Sequence, residues 1–328
     1  MKKSLTLLAV LIVAPVFFYV WSVNHRMVPV EYGISFNAGY AAYIGLDWKK
    51  TFSAMLTELH PKYIRIAADW NVVEKTKGVF DFTAVDWMMN EAGDAGAKVT
   101  LVFGQKTPRW PECHIPDWIV QPDKAALLTY VGTVVKRYQH HPALEFWQVE
   151  NEPFIHFNFG DCGAFVAAWT HDEVAHVRGL DATHPIIVTD SGELSTWRKS
   201  ATAGDYFGTT VYRLVRTTDG NIFSYWFIPP VFYRLKAAVW GRSLRTMMVS
   251  ELQAEPWSQG QNPKDEPVAE QEKTMNPKQL RANMNFVTHL GVSRAYLWGV
   301  EWWYMMREKN HDARYWKEIQ KSMKTRKQ

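Results

Sequence analysis

A single (β/α)₈ barrel is what the order of apolar runs in this chain predicts. Short runs of strand length alternate with helical patterns over about 270 residues, the usual extent of eight strand–helix units. Two of those runs end on carboxylates, at Asn151-Glu152-Pro153 and at Val249-Ser250-Glu251. The C-terminal ends of parallel strands are where barrels of this kind collect reactive side chains. The main rival is an open doubly wound sheet, which should show a glycine-rich turn after its first strand. Phe36-Asn-Ala-Gly-Tyr-Ala-Ala-Tyr-Ile-Gly45 is not that fingerprint.

Strands are expected at Glu31–Phe36, Tyr63–Ala67, Lys98–Phe103, Leu144–Val149, Pro185–Thr189, Phe207–Val211, Thr246–Ser250 and Ser293–Trp298. Helical patterns fall between them at Trp48–Leu59, Ala84–Ala95, Lys124–Tyr138, Ala164–Leu180 and Pro277–Leu290. Pro277 in a first turn and Gly291 after a last one follow the usual start and stop asymmetry of helices, and Gly96 closes its helix the same way. Pro153 cannot donate to a sheet, so the fourth strand must stop before it. Two connections are long, Arg216–Pro230 with Tyr225-Trp226-Phe227, and Gln253–Met275. Long connections in compact domains are lids or mobile excursions. The aromatic one could line a groove, touch a membrane or cover the barrel, and burial against the barrel is the expectation.

The 328 residues are 47% hydrophobic and 21% charged, an ordinary globular balance. The 16 Trp and 14 Tyr are in excess and suit a carbohydrate groove, because aromatic faces stack on sugar C–H faces. The net charge of +4 is partly the tail Lys317–Gln328, and no nucleic-acid motif accompanies it. Met1-Lys2-Lys3-Ser4 precedes 19 uncharged residues, Leu5 to Val23, a length close to a membrane span. Residues 1–26 are therefore expected to be an uncleaved signal anchor, with a cleaved signal peptide as the alternative. The domain 27–328 would then lie outside the cytoplasm. Aromatic residues at the outer end of the segment suit a membrane interface, whereas His25-Arg26 weakens the charge asymmetry. Cys113 and Cys162 fall in loops after neighbouring strands on one face of the barrel, and form a disulfide candidate. His140-His141 precedes Pro142 and reads as a turn, so no metal site is expected, nor any organic cofactor.

Glu152 follows the fourth strand and Glu251 the seventh, so a closed barrel sets them across its mouth. Two facing carboxyls about 5 Å apart, one neutral and one ionised, are what retaining glycoside hydrolysis requires. Glu150 is expected to point the same way as Glu152, one pleat apart, and Glu255 competes with Glu251.

At these residues the chain resembles the (β/α)₈ superfamily of retaining glycoside hydrolases that includes cellulases, β-xylosidases and β-galactosidases. Trp147-Gln-Val-Glu-Asn-Glu-Pro153 resembles its fourth-strand signature, and Val249-Ser-Glu251 its seventh-strand end. By that resemblance Glu152 is the acid/base, Glu251 the nucleophile, and Asn151 a hydrogen-bond partner of the sugar 2-hydroxyl. Tyr63-Ile-Arg-Ile66 resembles the strand whose arginine supports the nucleophile, which implicates Arg65. The residue-level alternative for Arg65 is an ion pair with Asp69 or Glu74. Ala295-Tyr-Leu-Trp298 resembles the eighth-strand end whose tryptophan floors the first sugar site. Trp70–Glu74 with Gly78–Phe82, and Arg137–Pro142, match the pattern of the intervening segments. Thr209-Thr-Val-Tyr212 departs from it by lacking a histidine, and leaves Tyr212 as the residue to orient Glu251. Trp110, in a proline-flanked loop, is a further stacking candidate. The expected activity is a retaining β-glycoside hydrolase on an extracytoplasmic glycan. The alternatives are a transglycosylase using the same residues and a non-catalytic glycan-binding scaffold.

Overall fold

The computed structural model describes residues 18, 21, 22, 24–158, 160–258 and 262–324. Ten strands lie among them. β1 (Glu31–Ser35), β2 (Tyr63–Ala67), β3 (Lys98–Phe103), β4 (Leu144–Val149), β5 (Ile186–Asp190) and β6 (Tyr206–Val211) belong to the barrel. So do β9 (Met247–Gln253) and β10 (Arg294–Trp298), whereas β7 (Leu214–Arg216) and β8 (Ile222–Ser224) form a separate antiparallel hairpin. The barrel closes in the order β1-β10-β9-β6-β5-β4-β3-β2, all pairs parallel. Closure satisfies both edges of every strand, which an open sheet could not do.

The helices of seven or more residues outside it are α1 (Trp48–Ala54), α2 (Thr83–Asp94), α3 (Lys124–Tyr138), α4 (Thr170–Leu180), α5 (Pro230–Val239), α6 (Pro277–Thr288), α7 (Val300–Lys309) and α8 (Arg314–Lys324). Asp123 caps α3 by accepting from Ala126 N at 3.0 Å, and Asn276 caps α6 ahead of Pro277. Short polar side chains at these points satisfy amides that have no partner inside the helix.

Alternation along the strands layers the barrel interior. Tyr63, Phe146, Ile187, Met248 and Tyr296, from five strands, pack together as a closed apolar floor. Two residues further along β2, β4 and β5 come Arg65, Gln148 and Thr189, all buried and polar. The chain therefore carries an apolar plug below and a polar mouth above. Gly33 belongs to the floor, because a Cβ there would lie 2.7 Å from the Tyr296 ring.

Four expectations change. α1 ends at Ala54 and a π-helical turn, Met55–Leu59, continues it. Regular helix begins at Thr170, after a 3₁₀ turn at Ala167–Trp169. The seventh barrel strand does not stop before Glu251 but runs to Gln253. The aromatic connection is only half buried: Tyr225 and Ile228 are covered, whereas Trp226 is 79% exposed and Phe227 also faces outward. The apolar segment Leu5–Val23 lies almost wholly outside the described residues. No helix among those described is long and apolar enough to cross a membrane.

Candidate active site

The mouth is built first by the turn that ends β4. Glu150 and Glu152 both adopt positive φ, 61° and 48°, a conformation uncommon for side-chain-bearing residues. This double reversal breaks the alternation expected of an extended chain, so Glu150 and Glu152 do not point the same way. Glu150 turns under the loop after β3, where its carboxylate accepts from Gln105 N at 2.9 Å and Lys106 N at 2.6 Å. Gly104 makes room for it, since a Cβ there would stand 2.5 Å from the Glu150 carboxyl carbon. Glu173 of α4 faces Glu150 from outside the barrel. Burial, then the Glu150 charge, hold the Glu173 carboxyl well above the ordinary range, and neither Glu173 carboxyl oxygen has a hydrogen-bond partner among the described residues.

Asn151 and Glu152 remain in the mouth. Asn151 Oδ1 accepts from Arg65 Nη2 at 2.7 Å, with Gln148 Nε2 at 3.3 Å and Thr189 Oγ1 at 3.4 Å beside it. Three donors on the oxygen fix the amide so that Nδ2 is its presenting end.

Glu251 arrives by a different device. From Thr209↔Val249 to Thr210↔Glu251, one step along β6 spans two along β9. On the other side, two steps along β10 from Ala295 to Leu297 span three along β9. A β-bulge at Ser250 explains both, and bulges re-aim side chains at barrel rims. Glu251 Oε1 accepts from Arg65 Nη1 at 3.1 Å and Oε2 from the Tyr212 hydroxyl at 3.0 Å. Arg65 also donates to Gln148 Oε1 at 2.8 Å. Its ion-pair partner is therefore Glu251, not Asp69 or Glu74, and it links β2, β4 and β9. Tyr212 is held in turn by Glu193, whose Oε1 accepts from Tyr212 N at 2.9 Å.

The Glu152 carboxyl has no ion-pair partner among the described residues: Lys106 Nζ, 3.5 Å from the Glu152 carbonyl oxygen, is paired with Glu112. The Glu152 amide donates to Thr189 Oγ1 at 2.9 Å, and Glu152 Oε1 is buried without a hydrogen-bond partner among the described residues. Burial first, then the charges of Glu251 and Asp190, push its carboxyl well above the ordinary range. Two carboxyls thus share the mouth in opposite environments, one ion-paired and one kept neutral.

Trp298, at the end of β10, is reached by a residue that the sequence did not single out. The Arg109 guanidinium lies 4.0 Å from the Trp298 ring centre and 3.9 Å from that of Tyr40. Arg109 is ion-paired to Glu255 and, at 2.7 Å, to Glu301 Oε2. Glu301 Oε1 accepts from Asn37 N at 2.7 Å. Glu255 is thereby engaged with Arg109, while Glu251 takes the Arg65 position. The space left between Arg65, Arg109 and Trp298 is about 10 Å³, room for one water. Trp110, next to Arg109, points away and is 67% exposed, outside the cluster. Cys113 and Cys162 are bonded, with Cα atoms 5.3 Å apart, and tie the Arg109 loop to the loop after β4. Among the described residues no group of His, Cys, Asp and Glu could hold a metal, and His141 lies on α2, with its Nε2 3.1 Å from Asn90 Oδ1.

Arg109 was legible only as a neighbour of Trp110 in Thr107-Pro-Arg-Trp-Pro111. Nothing local says which of two adjacent loop residues turns inward. Glu173 and Glu193 gave no signal, since each acts through contacts made only in the folded chain.

Residues 64–164 match the model of glycosyl hydrolase family 10, a span that holds Arg65, Asn151 and Glu152 but not Glu251. A β-galactosidase of Geobacillus kaustophilus is 27% identical over 108 residues, covering 26% of this chain and 16% of the relative. The chain thus matches less than a fifth of that relative's length. Among solved structures, xylanase 10B from Thermotoga maritima superposes with a TM-score of 0.55 at 12% identity, covering 93% of this chain and 98% of that one. The β-galactosidase of Marinomonas ef1 gives 0.58 at 14%, covering 90% and 59%. A GH5_18 protein from Bifidobacterium longum gives 0.59 at 16%, covering 83% and 70%. The chain shares its barrel fold with (β/α)₈ glycoside hydrolases, and the segment over its second to fourth strands is similar to family 10.

Proposed function

We propose that this chain, a (β/α)₈ barrel similar to the glycoside hydrolases, is a retaining β-glycoside hydrolase acting on an extracytoplasmic oligo- or polysaccharide. The observation that carries the reading is the asymmetry between Glu152 and Glu251. Glu152, neutral through burial and through its neighbour's charge, is the acid that protonates the glycosidic oxygen. Glu251, ion-paired to Arg65 and hydrogen-bonded by Tyr212, is the carboxylate that attacks the anomeric carbon as the C–O bond breaks. Formation of the glycosyl ester removes the Glu251 charge, and with it one cause of the raised Glu152 pKa. Glu152, now deprotonated, takes a proton from water, and the resulting attack releases the sugar and restores Glu251. Asn151 Nδ2 is the donor to the sugar 2-hydroxyl, and Trp298 the floor of the first sugar site. Arg109 must leave the Trp298 face before a ring can stack there. The N-terminal segment 1–26 serves as the membrane anchor, and the Cys113–Cys162 bond suits an oxidising compartment.

The Arg109 position favours a second reading, a non-catalytic scaffold whose sugar site stays shut. One experiment separates the two: intact-mass spectrometry of the full chain after exposure to 2-deoxy-2-fluoro glycosides with activated leaving groups. Hydrolase chemistry predicts a single added sugar mapping to Glu251 and none in Glu251→Gln. A folded protein that takes up no sugar from a broad panel supports the scaffold.

A further inference from the structure

A helix on the outside of a barrel ordinarily turns charge to water and an apolar stripe to the strands. α5 does not. Its inward residues Val231, Tyr233 and Ala237 are buried, and its outward ones, Phe232, Leu235 and Val239, are apolar as well. Their spacing of three and four puts them on one stripe, along which Val239 is 71% exposed. Just upstream, Phe223, Trp226 and Phe227 extend the exposed apolar surface from the β7–β8 hairpin, with Trp226 and Phe227 ring centres 6.1 Å apart. Between residues 221 and 250 there is no Asp or Glu, and the charged side chains are Arg234, Lys236, Arg242 and Arg245.

The N-terminal segment ends at this same place. Asn24 Oδ1 accepts from Val231 N, in the first turn of α5, at 3.3 Å. Phe18 and Trp21 just before it are exposed, their rings stacked with centres 6.0 Å apart. The uncharged run that begins at Leu5 therefore leads to the barrel beside the aromatic, basic face. Aromatic rings and aliphatic side chains are the composition that settles at a lipid interface. Lys236 and Arg242 turn inward to backbone carbonyls, which leaves Arg234 and Arg245 as the cations of the face, with Asp219 exposed at the hairpin turn.

We propose that the face formed by the β7–β8 hairpin and the outer stripe of α5 rests on the lipid headgroup region of the bilayer that receives the N-terminal segment, giving the domain a second, peripheral contact. The proposal rests on the anchor reading of residues 1–26 and is independent of hydrolase activity.

The test uses the full chain in vesicles of phosphatidylcholine with phosphatidylglycerol. Both native cysteines are in a disulfide, so a Leu235→Cys thiol can be labelled alone with an environment-sensitive dye. Asp94→Cys, on α2 at the opposite side of the barrel, is the control. Spin-labelled lipid should quench the dye at 235 by roughly twofold or more and leave 94 unchanged, and omitting phosphatidylglycerol should weaken the effect while the chain stays bound. Bound chain with position 235 unquenched overturns the proposal but leaves the anchor standing. A chain that does not bind vesicles overturns both. Shielding of 235 that needs protein concentration but no lipid assigns the face to a second copy and overturns the bilayer contact.

Discussion

At the scale of single residues, the mouth is governed by which carboxyl receives a cation. Arg65 is spent on Glu251 and Asn151, Arg109 on Glu255 and Glu301, and Glu152 is left with burial and negative neighbours. The charge of Glu251 contributes to the raised Glu152 pKa, so Glu251→Gln should lower it. A carbon-13 titration of labelled glutamates reads this directly, and an unchanged value would leave burial and the Asp190 charge as the causes. Since the acid must be protonated, kcat/KM should fall as pH rises through the elevated Glu152 pKa. Removing Glu152 by Glu152→Ala should cost about 10² to 10⁴ in turnover. Substrates with good leaving groups should lose far less, and azide should restore part of the rate. Arg109 obeys a different logic. In Arg109→Ala, Trp298 is uncovered while two buried carboxylates lose their cation. Calorimetry should show tighter binding of a monosaccharide ligand, together with a stability loss of about 3 to 5 kcal/mol. Weaker binding would make Arg109 a sugar contact instead of an obstacle.

At the scale of elements, two irregularities deliver the carboxylates, the left-handed turn after β4 and the bulge in β9. The turn is held by the loop after β3, whose Gln105 and Lys106 amides donate to Glu150, and Glu173 of α4 faces it from outside. The folded protein keeps Glu173 protonated, whereas the unfolded chain releases that proton above its ordinary pKa of about 4.3. Wild-type stability must therefore fall as pH rises from that value toward the elevated folded one. Glu173→Gln removes the part of this dependence that belongs to Glu173. Its Tm should equal that of the wild type near pH 4 (about the unfolded value) and exceed it at pH 7. Equal shifts at both values would mean that folding does not raise the Glu173 pKa.

At the scale of the whole molecule, Arg65 is the link across the barrel. It is buried on β2 and bonded to Gln148 of β4 and to Glu251 of β9. Arg65→Met should cost about 3 to 5 kcal/mol in urea unfolding, because Glu251 is left as an uncompensated buried charge. Pairing it with Glu251→Gln should recover much of that loss, and strictly additive costs would show that the two do not depend on each other. The floor beneath them is apolar and drawn from five strands, so the loss should appear as one cooperative transition and not as a local opening.

The sequence by itself determined the barrel. Eight strands fall within three residues of their expected limits, because closely packed parallel strands demand apolar runs that leave their mark locally. It also determined that Glu152 and Glu251 lie toward the C-terminal ends of β4 and β9, since Pro153 must stop β4 and spacing counts the turns of the barrel. Tertiary structure decided where the side chains go from there. Alternation placed Glu150 beside Glu152, but a left-handed turn held by the loop after β3 separates them. Strand counting ended β9 before Glu251, but a bulge carries the strand past it. Loop composition favoured Trp110, but the ion pairs with Glu255 and Glu301 draw Arg109 inward and leave Trp110 to solvent. Each of these outcomes depends on partners far away in the chain, and a local pattern holds no information about them.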